Sequence, residues 1–77
     1  MMKFYEPDVV RATRDINNKV KKGAYGAVVM VFYKDYNNPV EHDGYEVEFV
    51  DDDGYTIDCT EVTADDIELI QRFYPTE

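Results

Sequence analysis

Gly44-Tyr45-Glu46-Val47-Glu48-Phe49-Val50 alternates without a break, and Tyr55-Thr56-Ile57-Asp58-Cys59-Thr60 alternates after it, with Asp51-Asp52-Asp53-Gly54 between. Alternation with period two is the mark of a half-buried strand, and Asp-Gly between two such runs marks a hairpin. A two-residue turn at Asp53-Gly54 sets Phe49 opposite Asp58 and mixes a core residue with a charge. A three-residue loop, Asp52 to Gly54 with a left-handed glycine, sets Phe49 opposite Ile57 and Val47 opposite Cys59. The three-residue loop is therefore expected, with Cys59 facing inward. The same register sets Glu48 opposite Asp58 on the outer face, beside Glu46.

Working outward, Tyr25 to Tyr33 (YGAVVMVFY) is the strongest single strand, apolar on both faces. That predicts a bent strand serving two sheets, with Gly26 at a bulge or a close backbone approach. Asp8 to Thr13 reads as a first strand and Ile67 to Gln71 as a last one. Thr63-Ala64-Asp65-Asp66 has the spacing of a capped single turn. Arg14 to Gly23 and Lys34 to Asp43 read as long loops, the second around Asn37-Asn38-Pro39. No useful helix appears. The expected fold is all-β: one domain over residues 1–77, a small five-stranded SH3-like barrel with a single helical turn before the last strand.

The chain has 77 residues, 44% hydrophobic and 32% charged, enough for one small core and too few for a large enzyme. It has no apolar run of membrane-spanning length and no apolar leader, which sets the expectation of a cytoplasmic protein that does not enter membranes. A single cysteine, Cys59, cannot form an internal disulfide and fits a reducing compartment. The net charge of −9 is concentrated: residues 1–40 sum to +3, residues 69–77 to zero, and residues 41–68 to −12 without one lysine or arginine. Two readings of that stretch stand side by side. Acids keep a small protein in solution, or they form a docking surface for a basic partner. Like charges facing each other across a hairpin weaken the fold, and such local conflicts gather at functional surfaces.

No constellation supports catalysis. His42 is the only histidine and the chain has no serine. Cys59 reads as a small buried residue rather than a reactive thiol. The aspartate run departs from a calcium-loop pattern, because Tyr55 and Thr56 stand at its fifth and sixth positions. No metal, cofactor or catalytic residue is expected. Of the seven tyrosines and four phenylalanines, Tyr45, Phe49, Tyr55 and either Phe32 or Tyr33 are candidates for the core. Phe4, Tyr5, Phe73 and Tyr74 would staple the ends, and Tyr36 in the polar second loop would be an exposed anchor.

Asp8-Val9-Val10, Lys22-Gly23-Ala24-Tyr25-Gly26-Ala27-Val28-Val29 and Tyr45-Glu46-Val47-Glu48-Phe49-Val50-Asp51-Asp52-Asp53-Gly54 form an ordered pattern. It resembles a family of small bacterial proteins known as a domain of unknown function, over roughly residues 8 to 69. The central glycine–valine element also looks like the KOW type of SH3-like barrel found in ribosomal and transcription proteins. The resemblance implies the barrel. Companionship of such proteins with toxin genes implies an immunity protein. The Lys34–Asp43 segment is longer than that layout implies and is a natural place for partner contacts.

The expectation is a non-catalytic acidic protein-binding module, an immunity or antitoxin-type inhibitor that blocks a basic, nucleic-acid-acting toxin. Its docking residues would be Tyr36, Glu46, Glu48, Asp51, Asp52, Asp53 and Asp58, on a monomer or weak dimer. One alternative is a housekeeping subunit that assembles through a strand edge. The other is an RNA- or ribosome-associated barrel using Lys19, Lys21 and Lys22, which the negative charge disfavours.

Overall fold

The computed structural model describes residues 4–35 and 38–72, and side chains there outside 33–43. Five strands follow in order: β1 (Val9–Ala12), β2 (Tyr25–Asp35), β3 (Asn38–Val50), β4 (Thr56–Val62) and β5 (Ile67–Gln71). All pairings are antiparallel, and the sheet order is β4-β3-β2-β1-β5. A 3-10 turn, Ala64–Asp66, carries the chain from one edge strand to the other. This is the SH3-like small barrel. All five strands contribute to one core of Phe4, Val10, Ala12, Val20, Val28, Tyr45, Val47, Phe49, Val62 and Ile67. Tyr45 and Phe49 are fully buried, and the Phe4 ring meets Tyr45 edge-on at 5.3 Å.

The decisive hairpin has the expected loop but not the expected register. Asp51 N donates to Tyr55 O (2.8 Å), Gly54 N donates to Asp51 O (3.0 Å), and Gly54 has φ +88°. Three residues, Asp52 to Gly54, therefore make the turn. Val50 then pairs with Thr56, but Phe49 pairs with Asp58, so Ile57 is an extra residue bulged from the ladder. Every later residue of β4 changes face. Val47 meets Thr60, Tyr45 meets Val62, and Glu48 meets Cys59.

The bulge has a physical reason. Without it Glu61 would face the core opposite Tyr45 and Val62 would face solvent. Burying Val62 stabilises by about 1.5–3 kcal/mol, whereas a buried unpaired carboxylate costs several. Asp58 and Thr60 tolerate the inner face because β4 is an edge strand and both stay half-exposed. Asn17 Nδ2 donates to Asp58 Oδ2 at 3.0 Å. Three expectations fail with the register: Cys59 is exposed rather than inward, Glu48 does not face Asp58, and Tyr55 is 73% exposed rather than core.

The second expected loop is also largely strand. β2 continues to Asp35 and β3 begins at Asn38, with Tyr33 paired to His42 and Asp35 to Asn38. The β-prone run simply continues, and Pro39 is tolerated because β4 ends opposite Tyr45, leaving that part of β3 an edge. The strong β2 run buries less than its pattern suggested. Val28 is buried, Val31 and Phe32 are half-buried, and Val29 and Met30 are exposed at a break in the β2–β3 register. Gly26 makes the expected close approach: a Cβ there would lie 2.7 Å from Glu48 O and from Val47 Cγ1.

The first loop holds a core residue that its polar composition hid. Val20 is fully buried. Asn17 Oδ1 accepts from Lys19 N and Val20 N, both at 2.8 Å, and this local turn aims Val20 inward while the lysines stay exposed.

Candidate functional site: an acidic outer face

β3 divides its side chains cleanly. Tyr45, Val47 and Phe49 are buried, while Glu46 and Glu48 lie on the opposite face, half-exposed. β4 adds Cys59 and Glu61 to that outer face, and Glu46 stands directly across from Glu61. In an antiparallel pair, opposed Cβ atoms are about 4.5–5.5 Å apart, and like charges in that position destabilise. Two unit charges about 7 Å apart in water repel by roughly 0.6 kcal/mol, which sets the scale of the conflict. The sequence between residues 41 and 68 holds no lysine or arginine to relieve it.

The neighbouring polar groups accommodate the charge without neutralising it. Thr56 Oγ1 donates to Glu48 Oε2, and Cys59 Sγ donates to Glu46 Oε2 at 3.1 Å. The hydrogen bond to Glu46, then partial burial and the charges of Glu46, Glu48 and Asp58, push the Cys59 thiol up to about 11. At neutral pH it is a thiol and not a thiolate nucleophile.

The other expected docking residues divide. Asp58 lies on the core side of β4, bonded to Asn17, and does not share the face of Glu46 and Glu48. Asp51, Asp52 and Asp53 are exposed at the hairpin tip beside that face. Asp51 has a structural duty, since its Oδ1 accepts from Asp53 N (2.9 Å) and Tyr55 N (3.0 Å). Tyr36 lies outside the described residues. Glu61 is the residue that the sequence reading missed. The signal for it is Val62, the last apolar residue before the capped turn, which fixes Glu61 outward once Val62 is placed in the core.

Three acids elsewhere are each neutralised by an arginine. Arg11 meets Glu68 at 2.6 Å, Arg14 meets Asp66 at 2.6 Å, and Arg72 meets the buried Asp8 at 2.8 Å. Lys19, Lys21 and Lys22 are exposed in the β1–β2 loop. Lys22 borders an open groove of about 590 Å³ lined also by Arg11, Ala12, Thr13, Gly23 and Glu68. Because Arg11 is bound to Glu68 there, the groove offers a phosphate little net positive charge. Among the described residues, no group of three or more His, Cys, Asp or Glu is placed to hold a metal ion. No helix among them is long and apolar enough to cross a membrane.

The fold and this face define a small, acidic SH3-like barrel with one charged sheet surface. The chain belongs to a family described as a domain of unknown function, DUF4926, whose model matches residues 6–69. No curated protein and no solved structure matches the chain.

Proposed function

We propose that the protein is a non-catalytic binding module whose outer β3–β4 face docks a basic protein. The observation that carries this reading is the column of Glu46, Glu48 and Glu61, with Glu46 set directly against Glu61 and no cation nearby in sequence. The arrangement weakens the free fold, and a cationic partner turns that cost into affinity and a faster encounter. Asp52 and Asp53 at the tip extend the field. The finer reading is an immunity-type inhibitor that occludes the cationic cleft of a nucleic-acid-acting toxin, with Tyr36 as an aromatic anchor. It is supported by the sequence resemblance and by the complementarity of such a cleft to this face. Action in the cytoplasm belongs to the same reading.

The test is a calorimetric titration with a lysine-rich peptide, at low and physiological salt, on the wild type and on Glu46→Lys/Glu48→Lys. Binding should be present, weaken with salt, and fall roughly tenfold or more in the variant, with most of its salt dependence gone. Equal binding by the two proteins removes the acidic face from consideration. A parallel titration with single-stranded RNA should show no binding. RNA binding that Lys21→Glu abolishes would establish the loop lysines as the working surface instead.

A further inference from the structure

Among the described residues, the sheet leaves one strand edge without a partner. β1 pairs with β2 only from Tyr25 to Ala27, and Val28 N then donates to Asp8 O at 2.9 Å. Among the described residues, no strand pairs with β2 past that point on the β1 side. Beyond Val28 that edge runs Val29-Met30-Val31-Phe32-Tyr33, five β-prone residues with no charge, proline or glycine before Lys34. Val29 is 38% and Met30 50% exposed. Such a segment is a ready template for strand pairing, and natural proteins seldom leave one bare.

The other edges are guarded. The free edge of β3 carries Pro39, Glu41 and Asp43; β4 carries Asp58 and Glu61; β5 carries Glu68 between Ile67 and Leu69. Past Gly44 the β2–β3 pair continues as a two-stranded ribbon without support from β4, which ends at Val62 opposite Tyr45. A two-stranded ribbon alone is marginal in water, and added strands stabilise it.

We propose that the β2 edge is a self-association site at which two copies pair antiparallel across a two-fold axis near Val31. The segment is self-complementary. This register sets Met30 of one copy against Phe32 of the other, and Val29 against Tyr33, with no charge facing a charge. It also turns two marginal ribbons into one four-stranded sheet. A second copy suits this edge better than a basic partner, which would find no acid between Val29 and Lys34. The two acidic columns do not forbid it. β3 of one copy and β3 of the other lie three strand spacings apart, about 14 Å. That exceeds the Debye length of about 8 Å at physiological salt.

The experiment is sedimentation velocity on the full chain over a wide concentration range, at low and physiological salt, with circular dichroism as the fold control. A dimer is expected whose population grows as salt screens the acids, the opposite of the salt response of basic-peptide binding. The two readings therefore stand or fall separately. Met30→Lys places two like charges beside the axis and should raise the dimer dissociation constant by roughly tenfold or more, with the spectrum unchanged. Leu69→Lys, on the exposed part of β5, should leave the dimer intact. A monomer at every concentration and salt overturns the proposal. So does a dimer that Leu69→Lys breaks, or one that neither substitution touches.

Discussion

The two ends of the sheet treat charge in opposite ways. At the β1–β5 end, three acids each meet an arginine: Asp8 with Arg72, Asp66 with Arg14, Glu68 with Arg11. At the β3–β4 end, Glu46 meets Glu61, and Glu48 meets a threonine hydroxyl and the column of Glu46. The first end is where the chain must be fastened. Asp8 Oδ2 accepts from Tyr5 N at 2.9 Å, and Arg72 binds that carboxylate while stacking over the Tyr5 ring at 5.0 Å. Both terminal segments are thereby tied to one buried charge. The second end needs no such fastening, since Tyr45, Val47, Phe49 and Val62 already fix it from the inner side. Charge that the fold does not use has collected where packing can bear the repulsion.

The sharpest way to break this contrast is Arg72→Ala. Asp8 is 1% exposed and, among the described residues, would keep the Tyr5 amide as the donor to its carboxylate. Removing one partner of a buried ion pair costs about 3–5 kcal/mol, a large share of the stability of a domain this small. A denaturant melt should show a lower midpoint with an unchanged slope. A loss below about 1 kcal/mol would mean that the pair behaves as a surface bridge.

A smaller effect of the same origin should appear in acid. Burial pushes the Asp66 carboxyl up, but hydrogen bonds from Thr63 and Arg14 and the Arg14 charge outweigh it, so the net shift is downward. A lowered native pKa means that the unfolded chain binds the proton first. The contribution is therefore full above the ordinary carboxyl value of about 3.9 and is lost as pH falls through the native value. Asp66→Asn should be less stable than the wild type at neutral pH, and the gap between their melting temperatures should narrow below about pH 4. A gap that stays constant into acid would show that the carboxylate's charge is not what Asp66 contributes.

How much of this was legible in the sequence follows from the range of each interaction. The three-residue loop, the left-handed Gly54, the capped turn from Thr63 to Asp66 and the bounds of β5 are set by neighbours within four residues. All were readable. The one-residue bulge at Ile57 was not, because it is decided by whether Val62 or Glu61 faces Tyr45, seventeen and sixteen residues away in the chain. That slip moved Asp58 out of the acidic face, exposed Cys59 and hid Glu61. Asn38-Pro39, the start of β3, read as a loop because turn residues outweighed the strand pattern that follows. Val20 escaped notice because a single valine among lysines and asparagines has no periodicity. The excess of acid in residues 41–68 was plain from counting; which acids face one another needed the register.

The gentlest test addresses the other half of the contrast. Glu61→Lys replaces a like-charge pair across the ladder with an opposite-charge pair, leaving β4 and its buried Val62 in place. Glu61 is exposed, so the change meets no packing constraint. The expected effect is a gain of roughly 0.2–1 kcal/mol, seen as a rise in melting temperature that shrinks as salt is added. Glu61→Gln should give a smaller gain, since it removes the repulsion without adding attraction. If both variants melt with the wild type at low salt, then Glu46 and Glu61 do not feel each other. The acidic face would then carry no stored repulsion for a partner to relieve. A stabilising Glu61→Lys that also binds the lysine-rich peptide more weakly would show the same carboxylate opposing the fold and serving the docking surface.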